Sequence, residues 1–223
     1  MRRKLTNGCP LTPAFSPDGG EGEPQPTLHN IDIMKILFCG GGALGSHALF
    51  LARDFEHELA VIDFDRVETK NLASQWFMKQ MVGKNKATAL KTQLLNFYGA
   101  KLHDYTVKLT SLNVDTILIG ADLVVDCFDN AESRRVVQTY VRANRKPCVH
   151  AGLAANGEFG VVRWDKDFVI DQEDAAGQAT CEGRGFLPII LRVSSSLVAS
   201  IQWYLENSRE VNWNVSPRNA ESF

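Results

Sequence analysis

The stretch Ile36-Leu-Phe-Cys-Gly-Gly-Gly-Ala-Leu-Gly-Ser46 limits what this chain can fold into more than any other. Lys35 to Cys39 is a short apolar run of the kind that forms a buried strand. It leads directly into Gly40, Gly42 and Gly45, a G-x-G-x-x-G spacing, and then into a helical pattern carrying Leu44, Ala48, Leu51 and Phe55. In that setting Gly40 permits a tight turn, Gly42 lets a phosphate approach the backbone, and Gly45 lets helix and strand pack closely. Free amides at the helix start, aided by the helix dipole, would face the bound anion. Such glycines alone are weak evidence. Here Asp63 closes the next apolar run, Leu59 to Asp63, about 20 residues on, where a ribose-binding acid belongs. The combination predicts a nucleotide-binding βαβ unit.

The rest of the chain alternates in the same way. A helix is expected from Lys84 to Phe97, with Ala87, Leu90, Leu94 and Phe97 on one face. A strand over Leu102–Leu109 and a short helix over Val114–Ile119, opened by Asn113, follow. Ala121 to Cys127 is continuously apolar apart from two aspartates, as in a strand buried on both faces of a parallel sheet. Asp129 and Asn130 open a helix from Ala131 to Ala143, and Pro147 to Ala151 is a further strand. The predicted fold is α/β: a Rossmann-like, doubly wound, mostly parallel sheet with right-handed crossovers. Beyond Gly152 the pattern changes. Gly157 to Trp164 alternates like an antiparallel extension, 165–185 is polar, and a C-terminal helix starts at Pro188 with Ile190, Val193, Leu197, Ile201 and Leu205 on one stripe. Residues 1–30, rich in Pro, Gly, Glu and Thr, are expected to be a disordered tail, with Met34 as an alternative start. Residues 31–208 would form the nucleotide-binding domain and 209–223 a second tail.

Composition mainly excludes. A net charge of −2 gives no electrostatic case for nucleic acid or an anionic membrane surface. No apolar run is long enough to span a bilayer, and no apolar segment follows the basic start as in a secretion signal. Five scattered cysteines, an odd number, suggest reduced thiols and a cytoplasmic location rather than a disulfide frame. No C-x-x-C pair occurs, so no zinc is expected.

Three further segments accompany the glycine loop: Val61-Ile-Asp-Phe-Asp-Arg-Val-Glu-Thr-Lys-Asn-Leu-Ala-Ser-Gln75, Val82-Gly-Lys-Asn-Lys-Ala87 and Val125-Asp-Cys-Phe-Asp-Asn-Ala-Glu-Ser-Arg134. In this order they closely resemble the ThiF/MoeB family, which includes the ubiquitin-activating enzymes and the adenylyltransferases of sulfur-carrier proteins. The resemblance runs strongly from Lys35 to Trp164 and loosely to Asn207. It implies ATP with magnesium as cofactors and a small ubiquitin-like (β-grasp) or sulfur-carrier protein as partner, whose C-terminal glycine is adenylated. It also implies a homodimer and, in some members, a downstream conjugating enzyme. The length of the chain resembles the minimal bacterial members.

Carried over by motif position, the resemblance makes Gly40, Gly42, Gly45, Asp63, Asp65, Asn71, Gln75, Lys86 and Asp129 the nucleotide-binding set. Asp63 would hold the ribose, Asn71 and Lys86 would contact phosphates, and Asp129 would hold magnesium. Lys86, Asp129 and Asn71 thereby become catalytic candidates. Bland readings stand beside these: Lys86 as a solvated helix-start lysine, Asp129 as a helix cap, Asp65 and Glu68 as loop-ordering acids. Arg134 is expected to pair with a sheet-end carboxylate, and His150 to be structural.

One departure matters. The family usually reads Asn-Leu-x-Arg-Gln where this chain has Asn71-Leu-Ala-Ser-Gln75, so Ser74 replaces a guanidinium facing the triphosphate. A serine donates one hydrogen bond but neutralises no charge. Arg66, Lys70, Lys79 or Lys84 would have to compensate, or a basic residue from a partner subunit, or adenylation is weak or absent. The candidate nucleophile for a thioester step is Cys181, in the polar stretch Gly177-Gln-Ala-Thr-Cys-Glu-Gly-Arg-Gly185, where Arg184 would favour a thiolate. Cys39, Cys127 and Cys148 lie in apolar runs and Cys9 in the tail. The function expected is adenylation of a carrier, with thioester formation on Cys181 as a second step. The alternatives are an inactive nucleotide-binding scaffold, made plausible by Ser74, and an NAD-dependent oxidoreductase.

Overall fold

The computed structural model describes residues 32–170 and 185–223. Among these residues, eight strands form one sheet in the order β3-β2-β1-β4-β5-β6-β7-β8. β1 (Lys35–Cys39) lies between β2 (Glu58–Ile62) and β4 (Leu123–Asp126), parallel to both. β3 (His103–Tyr105) extends the parallel set at one edge and β5 (Cys148–Leu153) continues it on the other side. The chain order reverses between β1 and β4, which opens a crevice beyond their carboxyl ends.

Successive strand residues point to opposite faces, and each face is covered. Ile36, Phe38, Leu59, Val61 and Val125 pack with α1 (Ala43–Leu51), α2 (Lys86–Tyr98) and α5 (Leu187–Asn207). Leu37, Cys39, Ala60, Ile62 and Val124 pack with α3 (Val114–Leu118) and α4 (Ala131–Asn144). The long stripe of α5 is buried at Ile190, Val193, Leu197 and Ile201. This is the Rossmann-like α/β architecture with an antiparallel extension.

Several boundaries differ from the sequence reading for local reasons. α1 ends at Leu51, and Phe55 belongs to the turn after it, with its amide donating to Ala52 O at 3.0 Å. α2 begins at Lys86 because the Asn85 side chain accepts from the Thr88 amide at 3.1 Å, an N-cap. Asn113 does not cap α3 with its side chain, which instead accepts from the Thr110 amide at 2.8 Å. β3 is three residues long because it lies at the sheet edge and pairs on one side.

The largest correction concerns 209–223. These residues are not a tail within this fold: β7 (Trp213–Val215) and β8 (Ala220–Ser222) form a hairpin that pairs antiparallel onto β6 (Gly160–Trp164). Val211 and Val215 are buried against the core, and the Trp164 amide donates to Asn212 Oδ1 at 2.9 Å. Arg163 donates to the carbonyl of Trp213 and to Asn214 Oδ1, tying the hairpin to β6. The domain therefore includes its C-terminal residues.

Candidate functional site

The crevice at the β1–β4 switch point is a cavity of about 910 Å³. Gly40 turns the chain out of β1 at φ +100, a conformation that favours glycine. Its amide still donates to Ile62 O at 2.9 Å, so the turn stays anchored to β2. Gly42 lines the cavity, and a Cβ built on it meets nothing within 4 Å. Its backbone is therefore open to a ligand. Gly45 does not line the cavity. A Cβ there would stand 1.9 Å from Gly40 O, so its role is the close packing of α1 on the loop.

Of the remaining expected residues, Asp63, Asp65, Asn71, Gln75, Lys86 and Asp129 all line the same cavity. Asp63 follows β2 directly. Its Oδ2 accepts from the Gly41 amide at 2.8 Å and its Oδ1 from the Asp65 amide at 2.8 Å, which fixes glycine loop and acid together. Burial raises its carboxyl above the ordinary range, against the opposing pull of Lys86 and those two amides. Lys86, at the first position of α2, is buried and donates to Asp65 Oδ2 at 3.0 Å. This is not a solvated lysine. Asn71 is buried in the 3-10 turn Thr69–Ala73, where its side chain accepts from the Glu68 amide at 2.8 Å. Gln75 Oε1 is buried without a hydrogen-bond partner among the described residues. A ligand donor in the cavity would satisfy it.

Beyond β4 the cap of α4 is Asn130, whose side chain accepts from the Ser133 amide at 2.8 Å. That leaves the exposed carboxylate of Asp129 on the cavity, with Asn130 Nδ2 at 3.5 Å. Arg134 pairs with the sheet-end carboxylate of Asp126 at 3.2 Å, as expected, and also donates to Ala151 O at 2.7 Å. His150 is fully buried between two acids, Asp126 at 2.8 Å and Asp165 at 3.1 Å, and stacks on Phe168 at 4.1 Å between ring centroids. Ser74 is buried and does not line the cavity, and its carbonyl accepts from His47 Nε2 at 3.2 Å.

Arg163, Asp167 and the run Phe168–Ile170 also line the cavity and were not anticipated. Arg163 comes from β6 itself, and Asp167 and 168–170 come from the 3-10 turn Asp165–Asp167 and the segment after it, a long-range arrangement with no local signature. Cys39, Cys127 and Cys148 are free and buried, and burial pushes all three thiols up, away from the thiolate form. Cys181 and Cys9 lie outside the described residues.

The ThiF family matches residues 15–206, and the chain belongs to that family. It is 34% identical over 137 residues to the adenylyltransferase and sulfurtransferase UBA4 of Lodderomyces elongisporus, covering 59% of this chain and 30% of that protein. It is 31% identical over 147 residues to the sulfur carrier protein adenylyltransferase of Thermus thermophilus, covering 64% of this chain and 51% of that one. The chain thus spans about a third to a half of these relatives. Among solved structures, Escherichia coli MccB with ATP superposes with a TM-score of 0.68 at 18% identity, over 85% of this chain and 62% of MccB, a likeness of fold. Among the described residues no helix is long and apolar enough to cross a membrane.

Proposed function

We propose that the chain binds ATP in the switch-point cavity and adenylates the C-terminal glycine of a small ubiquitin-like or sulfur-carrier protein. The observation that carries this is the convergence of four separated motifs on one cavity: Gly42, Asp63 with Asn71 and Gln75, Lys86, and Asp129. The names of the relatives and the ATP in the MccB structure point the same way. Family membership favours this reading over a dinucleotide-dependent oxidoreductase.

A carboxylate is a poor electrophile, and joining AMP to it supplies a good leaving group. The carrier's carboxylate oxygen would attack the α-phosphorus while the bond to the β-phosphate breaks and pyrophosphate leaves. The chain's own contribution is to position the two reactants and to offset growing charge. The glycine-loop amides, Asn71 and Lys86 would hold phosphates, Asp63 the ribose, and Gln75 would form the wall beside them. Magnesium would add charge neutralisation, held by Asp129 together with the phosphates. No group of three or more His, Cys, Asp or Glu suited to a metal occurs among the described residues. Magnesium bound to a nucleotide needs only one or two protein carboxylates, so Asp129 fits. Thioester formation on Cys181, a homodimer and hand-over to a conjugating enzyme are the later steps of the same reading.

ATP–pyrophosphate exchange with small carriers ending in glycine tests it. Carrier-dependent exchange should be lost in Asp129→Ala and kept in Cys181→Ala. Measurable ATP binding without exchange for any carrier would favour a nucleotide-binding scaffold instead, a reading to which Ser74, buried and not lining the cavity, lends weight.

A further inference from the structure

Phe128, Arg134 and Phe168 line the cavity, and all three are tied to the buried ring of His150. Its Nδ1 lies 2.8 Å from Asp126 Oδ2, and its Nε2 lies 3.1 Å from Asp165 Oδ1. Asp126 also accepts from the Phe128 amide at 3.0 Å and from Arg134 at 3.2 Å. Asp165 opens the 3-10 turn after β6, and its carbonyl accepts from the Phe168 amide at 3.2 Å. The Phe168 ring lies flat on the imidazole, 4.1 Å between centroids and 7° between planes, with the Arg134 guanidinium 5.2 Å from its centre.

The groups that face His150 come from several elements. Asp126 belongs to β4, Asp165 to the turn, Arg134 to α4, and Cys148 Sγ on β5 stands 3.4 Å from Nε2. Arg163 is opposite His150 in the β5–β6 register, but it donates to the Trp213 carbonyl and to Asn214 Oδ1. As an imidazolium the ring donates to both carboxylates, whereas a neutral ring has one N–H. The shorter contact, to the fully buried Asp126, keeps that proton. A bare nitrogen lone pair then faces Asp165. Asp165 retains Arg142 and Gln138 but loses its tie to β5, and the Phe168 ring loses a stacked cation. The loss falls on Asp167 to Ile170, which line the cavity.

Those residues reach the cavity from β6, whereas Gly42 and Asp63 reach it from β1 and β2. β6 is three strands from β1, about 14 Å at ordinary strand spacing. Leu153, Phe159, Val161 and Phe168 make the β5–β6 side apolar, which suits a peptide chain better than a triphosphate. Resting on the adenylation reading, we propose that His150 is a positioning residue for the carrier's C-terminal residues. Its imidazolium fixes the wall of Asp165 to Ile170 against which they lie. The acyl part of the adenylate, and not the nucleotide, then binds more tightly while the ring is charged. Burial disfavours the charged ring, but the hydrogen bonds to the two carboxylates outweigh it and keep the pKa above the ordinary 6.5, within reach of ordinary buffers.

Calorimetry on the full chain with two non-reactive adenylate mimics tests this. They are the N-acetyl and N-(acetylglycylglycyl) derivatives of 5′-O-sulfamoyladenosine, which share one anionic linkage and differ in the peptide they carry. From about pH 6.5 to 8.5 the wild-type preference for the peptidyl compound should fall by about fivefold or more. By reciprocity, the His150 ring signals in NMR should titrate at a higher pH with that compound bound. His150→Gln keeps one donor and no titrating proton. Its preference should not vary with pH, and it should bind the N-acetyl compound as wild type does. A pH-independent preference in wild type, or a fall that persists in His150→Gln, would overturn the proposal and leave the ATP reading intact. If His150→Gln does not fold, the two wild-type measurements decide. A wild-type chain that binds neither ATP nor either mimic would remove both readings.

Discussion

His150 Nδ1 lies 2.8 Å from Asp126 Oδ2 at the carboxyl end of β4, the carboxylate that also pairs with the cavity-lining Arg134. The other ring nitrogen faces Asp165 Oδ1 at 3.1 Å, so an imidazolium donates to a carboxylate on each side. Burial alone would lower the His150 pKa, but these two hydrogen bonds outweigh it and raise it above the ordinary 6.5. The native state then holds the proton more tightly than the unfolded chain. The stability gained is full below pH 6.5 and is lost as pH rises through the raised value. Thermal midpoints measured from pH 6 to 9 should therefore fall. In His150→Phe the fall should disappear, at an overall cost of about 3 kcal/mol from leaving Asp126 and Asp165 short of a partner.

Asp165 contributes to the acid limb, alongside the lowered carboxyls of Asp126 and Asp104. Burial pushes its carboxyl up, but hydrogen bonds from His150, Arg142 and Gln138 prevail and bring it down to about 2. A depressed carboxylate stabilises the fold above its unfolded value, and the benefit disappears as pH falls through about 2. Acid titration followed by circular dichroism should show wild type losing stability between about pH 4 and 2. Asp165→Asn should start less stable at pH 7 and lose less over that interval. A parallel acid curve for the variant would refute the assignment.

Gly42 and Gly45 of the glycine loop should fail in different ways. Gly45→Ala drives a methyl into the Gly40 carbonyl, 1.9 Å away in the present geometry, and backbone cannot step aside cheaply. It should lose about 3 kcal/mol or more, or express as aggregate. Gly42→Ala meets nothing within 4 Å, so its denaturation midpoint should stay close to wild type. Its methyl would occupy the approach to the open backbone, weakening ATP by about tenfold or more. Denaturant titration and nucleotide binding on both variants separate the roles.

These contrasts also show what the sequence could reveal. β1, the glycine turn and α4 are local structures, written in an apolar run, three spaced glycines and the Asn130 cap, and they were legible. The hairpin of β7 and β8 was not. Its strands are three residues long, too short for alternation to register, and they are held by distant partners such as Asn212 on Trp164. The buried charge cluster was equally hidden, since Asp126, His150 and Asp165 lie on separate elements and meet only in the folded chain. Lys86 and Asp129 were legible as motif residues. That Lys70 lines the cavity while Arg66 points outward depends on the 3-10 turn, whose orientation no periodicity encodes.

The adjacent pair Asp129 and Asn130 gives the clearest separation of folding from chemistry. Asn130 accepts from the Ser133 amide and satisfies a donor that the first turn of α4 would otherwise leave free. Asn130→Ala should cost about 1 kcal/mol of stability. It should reduce activity only as far as the loop beside it loosens. Asp129 is exposed and, among the described residues, its carboxylate's one hydrogen-bond contact is Asn130 Nδ2 at 3.5 Å, so Asp129→Ala should leave the thermal midpoint within about 2 °C. Its loss should appear in pyrophosphate exchange, falling by about a hundredfold or more, and in weaker dependence of ATP affinity on magnesium. Paired melting curves and exchange assays read both variants together. If Asp129→Ala unfolds the protein while exchange per folded molecule persists, the carboxylate serves the helix and not the nucleotide.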